Sequence, residues 1–122
     1  MKILLTGANG FLGYYLTRQL LEAGHTVVAT GKGACRLPFG GQPSFHYHEL
    51  DFTDALEANR LITETMPEVI VHAGAMTKPD DCEQDPEQAM LVNSAGTRIM
   101  LEAAAASGAF FVFISTDFIF DG

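Results

Sequence analysis

Residues 2–13 read KILLTGANGFLG, and this stretch decides the fold. Lys2 to Thr6 is a short apolar run that breaks into a glycine turn, as expected of a strand buried on both faces of a parallel sheet. Gly7, Gly10 and Gly13 follow as Gly-x-x-Gly-x-x-Gly. Each has a physical reason to lack a side chain. The first permits a tight turn, the second lets the backbone approach a pyrophosphate, and the third lets a helix pack closely on the strand. Free amides and the positive end of that helix then stabilise a diphosphate. Strand, glycine loop and helix in this order predict a bound dinucleotide rather than a purely structural turn.

The same alternation continues outward. Gly13, Leu16 and Leu20 recur at helical spacing until Gly24 stops the helix, and Thr26 to Thr30 is β-branched and apolar, a second strand. Residues 31–44 carry four glycines and two prolines and read as loop; Phe45 to Leu50 reads as a third strand. From Asp54, positions Ala55, Ala58, Ile62 and Met66 give one helical face that Pro67 ends, and Glu68 to His72 is a fourth strand. Asp85 as cap and Pro86 in the first turn open a long helix that closes at Ser107-Gly108, before a fifth strand from Ala109 to Ser115. Strands alternating with helices specify right-handed crossovers, hence an α/β class with a doubly wound parallel sheet. The prediction is one NAD(P)-binding Rossmann domain, residues 1–122, with five strands. Phe110 to Ile114 is so apolar that cover on both faces and a further neighbouring strand are expected. With Asp121-Gly122 close behind, this leads to the expectation that the domain is incomplete at its C-terminal end. The remaining strands and a substrate domain would lie in a chain of roughly 250 to 350 residues.

Composition narrows the partners. A hydrophobic content of 48% fits a soluble globular protein, and a net charge of −8 with only seven scattered Lys and Arg argues against nucleic acid. The apolar stretch Ile3 to Leu5 is too short for a signal-peptide core, and no later run approaches a membrane span. Cys35 and Cys82 fit no metal or redox spacing and read as reduced thiols, which points to the cytoplasm. His46 and His48 share one strand face but have no third ligand in view, so no metal is expected; His25 and His72 have no evident partner.

Several polar positions bear on ligand recognition. NAD-binding domains of this type carry a carboxylate near the end of the second strand, for the ribose 2'-hydroxyl. Here that segment reads Thr30-Gly31-Lys32-Gly33 with Arg36 following, and positive groups there suit a 2'-phosphate. NADP(H) is therefore favoured, with NAD(H) the alternative. Asp51 could accept the adenine amino group; alternatively Asp51 or Thr53 caps the next helix. Asn93 and Gly96 share a face of the long helix, where Gly96 permits close approach to the sheet. Ser115-Thr116-Asp117 ends the fifth strand, at the carboxyl edge where open α/β sheets bind ligands, although Thr116 and Asp117 could simply cap a turn.

Five segments together resemble the extended short-chain dehydrogenase/reductase family, and within it the dTDP-4-dehydrorhamnose reductase branch. They are TGANGFLG at 6–13, LDFTD at 50–54, HAGAMTKPDDCE at 72–83, VNSAGT at 92–97 and STDFIFDG at 115–122. The resemblance implies that Gly7, Ala8, Asn9, Gly10, Phe11 and Leu12 wrap the pyrophosphate and that Asp51 and Phe52 border the adenine. Ala73, Gly74 and Ala75 would pass beside the nicotinamide ribose, with Asn93 and Ser115 also on the cofactor and Thr77, Asp117 and Phe118 on the substrate. Thr116 would be the hydroxyl member of the family's catalytic Thr/Ser, Tyr and Lys set, whose other two members lie beyond the fifth strand in the family. The implied reaction is NAD(P)H-dependent reduction of a nucleotide-linked 4-keto-6-deoxy sugar, dTDP-4-dehydrorhamnose to dTDP-L-rhamnose. Two alternatives follow from the same resemblance: an NAD-dependent sugar-nucleotide epimerase or dehydratase, and a non-catalytic NADP-binding regulatory subunit. Family members often form homodimers through helices flanking the sheet. His72 stands where these reductases commonly carry asparagine, Met76 for an aromatic or histidine, and Phe118 for tyrosine; these departures bear on sugar specificity.

Overall fold

In a computed structural model, which describes residues 1–73 and 86–114 (86–93 by backbone alone), the opening apolar run becomes β1 (Lys2–Thr6) and the glycine loop leads into α1 (Phe11–Glu22). There follow β2 (Thr26–Gly31), β3 (Phe45–Glu49), α2 (Ala55–Thr65), β4 (Val69–His72), α3 (Pro86–Ser107) and β5 (Phe110–Phe113). The sheet order is β3-β2-β1-β4-β5, and every pairing is parallel. The chain thus winds outward from β1 to β3, then crosses to the other side of β1 for β4 and β5. This is the doubly wound α/β sheet of a Rossmann fold.

The period-two alternation of the strands builds a core on each face of the sheet. Leu4 lies in register between Val28 and Ile70, and these three join Leu61 and Ile62 of α2 and Met100, Ala103 and Ala104 of α3. Leu5, one residue on, lies between Ala29 and Val71 and faces the opposite layer, where Tyr14, Leu16 and Leu20 of α1 cover it. Burial of such side chains stabilises the fold by roughly 1.5–3 kcal/mol each.

Two expectations need correction. The buried face of α2 is Ala58, Leu61 and Ile62, whereas Ala55 is exposed and Met66 is 76% exposed. Met66 has left the helix: it is the C-cap at φ 49°, left-handed, with its N–H donating to the Ile62 carbonyl. The proline that follows disfavours a right-handed helical residue before it, so the helix stops one residue early. Second, β2 extends to Gly31, so the loop runs over 32–44; Phe39 within it is buried against Tyr14 and Phe45 and closes the α1 side of the core. Among the described residues β5 is an edge strand pairing with β4 only, with Phe110 68% and Phe113 48% exposed. Among the described residues, no helix is long and apolar enough to cross a membrane.

Candidate functional site

The reversal of strand order falls between β1 and β4, and in open α/β sheets ligands bind in the crevice outside the carboxyl ends at such a switch point. The glycine loop leaves β1 at this crevice, and Ala73, nearly fully buried, leaves β4 beside it. Gly7 sits at φ 69°, the left-handed conformation that the sharp exit from the strand requires. The Gly10 N–H donates to the Gly7 carbonyl at 3.1 Å, closing the turn on itself, and the Ala8 N–H to the Thr30 carbonyl of β2 at 3.0 Å, fastening the loop to the sheet. Gly13 is where α1 touches the loop: a Cβ there would lie 2.2 Å from the Gly7 oxygen and 2.7 Å from the Ala8 Cα.

Gly10 is the N-cap of α1, with no side-chain cap and no acidic residue in the first turn. The amides of Phe11, Leu12 and Gly13 therefore have no intrahelical acceptor and keep their positive end of the helix uncompensated. Phe11 at the mouth is 83% exposed, and Leu12 is partly buried. A glycine cradle that a methyl group would fill, ending in an uncapped and uncharged helix start, fits a diphosphate.

The turn after β2 is bound to this loop by Asn9. Its amide nitrogen faces Tyr47 Oη at 3.0 Å, the Ala34 carbonyl at 3.2 Å and the Lys32 carbonyl at 3.4 Å, and its Oδ1 accepts the Arg36 N–H at 2.9 Å. Lys32 and Arg36 have exposed side chains beside the loop, and Thr30 turns inward, its hydroxyl donating to the Leu5 carbonyl. Cys35 in the same turn is exposed and in no disulfide, its thiol donating to the Leu37 carbonyl at 3.8 Å.

After β3, Asp51 is exposed and its Oδ1 accepts both the N–H and the hydroxyl of Thr53. Those bonds, with a smaller contribution from the Lys32 charge, hold its carboxyl below the usual range. Neither Asp51 nor Thr53 caps α2; that role belongs to Asp54, whose side chain accepts the Glu57 N–H. Phe52 points the other way, into the core, edge-on to His72 and against Gly96. A Cβ at Gly96 would lie 2.8 Å from that ring, so the glycine makes room for Phe52 rather than for the sheet itself.

His72 closes β4. Contrary to expectation it has a partner: Nδ1 shares a 2.7 Å hydrogen bond with the Thr6 hydroxyl. It is fully buried, stacked beside Phe111 and Phe113, and its Nε2 has no partner among the described residues. Burial pushes its pKa down to about 4, so it is neutral at neutral pH. His25 is also paired, through Nδ1 to the amino terminus at 3.2 Å. The positions Gly74, Ala75, Thr77, Cys82, Asp85, Ser115, Thr116, Asp117 and Phe118, and the side chain of Asn93, lie outside the described residues.

The structure thus brings Gly7 to Gly13, Lys32, Arg36, Asp51 and Ala73 to one edge of the sheet. It adds Tyr47, which residue-type reasoning passed over. The available signal was its place between His46 and His48 on β3, which turns it to the face opposite theirs.

Comparison with known proteins agrees with this geometry. The sequence profile of the RmlD substrate binding domain family matches residues 1–122. The chain is 36% identical to dTDP-4-dehydrorhamnose reductase of Streptomyces griseus over 119 residues, 98% of this chain and 34% of that protein. It is 35% identical to methionine adenosyltransferase 2 subunit beta of Xenopus tropicalis over 121 residues, 99% of this chain and again 34% of that protein. Among solved structures, Thermus thermophilus UDP-glucose 4-epimerase in complex with NAD superposes with a TM-score of 0.77 at 26% identity, covering 89% of this chain and 35% of that one. The chain therefore spans about a third of the length of these relatives.

Proposed function

This chain belongs to the RmlD substrate binding domain family, within the extended short-chain dehydrogenases/reductases, and from that premise we propose that it supplies the nicotinamide-dinucleotide site of a nucleotide-sugar reductase. The substrate class is a nucleotide-linked 4-keto-6-deoxy sugar, with dTDP-4-dehydrorhamnose the specific candidate. The observation that carries the reading is the glycine cradle. Gly13 admits no side chain, the start of α1 is uncapped, and the switch in strand order lies directly beside it.

A bound nicotinamide supplies a hydride for the ketone carbon. The chain's own residues bind and orient it. The loop from Gly7 through Leu12 holds the diphosphate on main-chain amides, Lys32 and Arg36 face a 2'-phosphate, and Asp51 accepts from the adenine amino group. Ala73, Gly74 and Ala75 pass the nicotinamide ribose, with Asn93 and Ser115 beside them. Thr116 donates a hydrogen bond to the ketone oxygen, a bond that strengthens as negative charge develops there and so favours the transition state. Thr77, Asp117 and Phe118 border the sugar. NADP(H) is the cofactor preferred, because no carboxylate stands at the end of β2. The buried, neutral His72 is too enclosed to serve as the proton donor.

The test is spectrophotometric: net oxidation of NADPH on addition of a dTDP-4-keto-6-deoxyhexose, with nucleotide affinity measured alongside. A reductase consumes NADPH in proportion to ketosugar; an epimerase regenerates its dinucleotide and shows no net change. The similarity to methionine adenosyltransferase 2 subunit beta, nearly equal to that for the reductase, favours a second reading. Under it the protein binds NADP tightly, turns over no ketosugar and serves a partner enzyme.

A further inference from the structure

A side chain at position 31 would crowd its neighbours. Gly31 ends β2, and a Cβ there would lie 2.9 Å from Asn9 Nδ2 and 3.0 Å from Tyr47 Oη, both closer than ordinary contact. That direction, toward the glycine loop, is the one from which a carboxylate at the strand end reaches a ribose hydroxyl. Here an amide and a phenol fill it.

The same two side chains shape the turn that follows. Tyr47 Oη donates to the Gly33 carbonyl at 2.7 Å, while Asn9 Nδ2 faces the carbonyls of Lys32 and Ala34. Three successive carbonyl oxygens are therefore turned inward, where their negative ends cannot oppose an anion outside. The Arg36 N–H is fixed on Asn9 Oδ1, and the side chains of Lys32 and Arg36 remain exposed on either side. Lys32 is near enough to act electrostatically on Asp51, and Arg36 on Tyr47. Partial burial raises the Tyr47 pKa, which keeps the phenol protonated and donating.

We propose that Asn9 and Tyr47 set selectivity for a 2'-phosphorylated dinucleotide. Together they crowd a side chain at position 31 and fold residues 32–36 so that carbonyls face in and two cations stay out. Both are positioning residues, acting through Lys32 and Arg36. The inference rests on the dinucleotide site proposed above.

Titrating NADP+ and NAD+ into the protein and into Tyr47→Phe and Asn9→Ala tests it, with thermal unfolding of each variant recorded. Tyr47→Phe keeps the ring, so the core contact survives while the bond to Gly33 is lost. The expected result is that NADP+ affinity falls about tenfold more than NAD+ affinity in each variant, as removal of hydrogen bonds that orient charged groups would produce. Parallel loss of both affinities, or no change in either, overturns the selectivity role and leaves the dinucleotide site standing. An unmodified protein that binds NAD+ as tightly as NADP+ overturns it as well. If the unmodified protein binds neither nucleotide, the cofactor reading itself has failed and this inference falls with it.

Discussion

Replacing Gly13 by alanine tests whether the loop and α1 are seated as described. A Cβ at this position meets only backbone: the Gly7 oxygen at 2.2 Å, the Ala8 Cα at 2.7 Å and the Ala8 carbonyl carbon at 2.8 Å. Comfortable non-bonded separations are about 3.5–4.0 Å, so relief requires a displacement on the order of 1 Å. No side chain is available to rotate away. The Ala8 segment is itself bonded to Thr30 of β2, so α1 must lift off the sheet. Overpacking of this kind costs typically 1–3 kcal/mol and occasionally more; with a backbone clash at this depth, roughly 3 kcal/mol is expected. At roughly 3–5 °C per kcal/mol for a chain of this size, the unfolding midpoint drops by about 10 °C or more. Gly10→Ala is the internal control. Its Cβ would lie 3.3 Å from a single oxygen, and its backbone is extended, which alanine adopts freely. It should cost about 1 kcal/mol or less of stability while weakening dinucleotide binding, since the added methyl group stands over the amides of α1. Circular dichroism melts and urea titrations of both variants read the contrast. A Gly13→Ala protein that melts within about 1 °C of its parent would falsify the close seating of α1 on the loop.

Three further outcomes are expected. Asp54→Ala removes the side-chain acceptor that caps α2 and should lower stability by about 1 kcal/mol in urea unfolding, with Asp54→Asn recovering most of it. His72 has its pKa lowered from 6.5 to about 4 by burial, so the unfolded chain takes up its proton first. Its contribution is complete above about pH 6.5 and is lost as pH falls toward 4, on the order of 3 kcal/mol across that window. His72→Asn should flatten the pH dependence between those limits, and an unchanged slope would mean the proton is taken up elsewhere. Thr116→Val, in the protein that turns over ketosugar, should lower turnover with little loss of NADPH affinity, and unchanged turnover would remove Thr116 from the mechanism.

The elements legible in the sequence were those dictated by local physics. β1, the glycine loop and α1 emerge from a strand-length apolar run, three glycines and a helical repeat ending at Gly24, and no long-range contact is needed to see them. Asp54 lies at the start of the predicted α2, but Asp51 and Thr53 compete for its cap, because three polar residues within four positions all have the right chemistry. Only the geometry shows that Asp51 and Thr53 bind each other and leave Asp54 to the helix. His72 looked solitary for a similar reason. Its partner is Thr6, remote in sequence and brought opposite it by the parallel register of β1 and β4.

The end of β2 shows how an absence in sequence becomes a cause in structure. Thr30-Gly31-Lys32-Gly33 reads as a missing carboxylate, and the positive residues beside it as the reason to favour a phosphate. In three dimensions a side chain at 31 would press on Asn9 and Tyr47, which would have to shift to admit it. Asn9 belongs to the loop proposed to hold the diphosphate, so one element would both bind one end of a dinucleotide and shape the turn proposed to meet its ribose. A carboxylate introduced at 31 would have to displace that asparagine and thereby disturb the loop. In the proposed site, specificity at the ribose and grip on the diphosphate would therefore be coupled through one side chain. A change in ribose preference by a single substitution at the strand end should fail unless Asn9 changes with it.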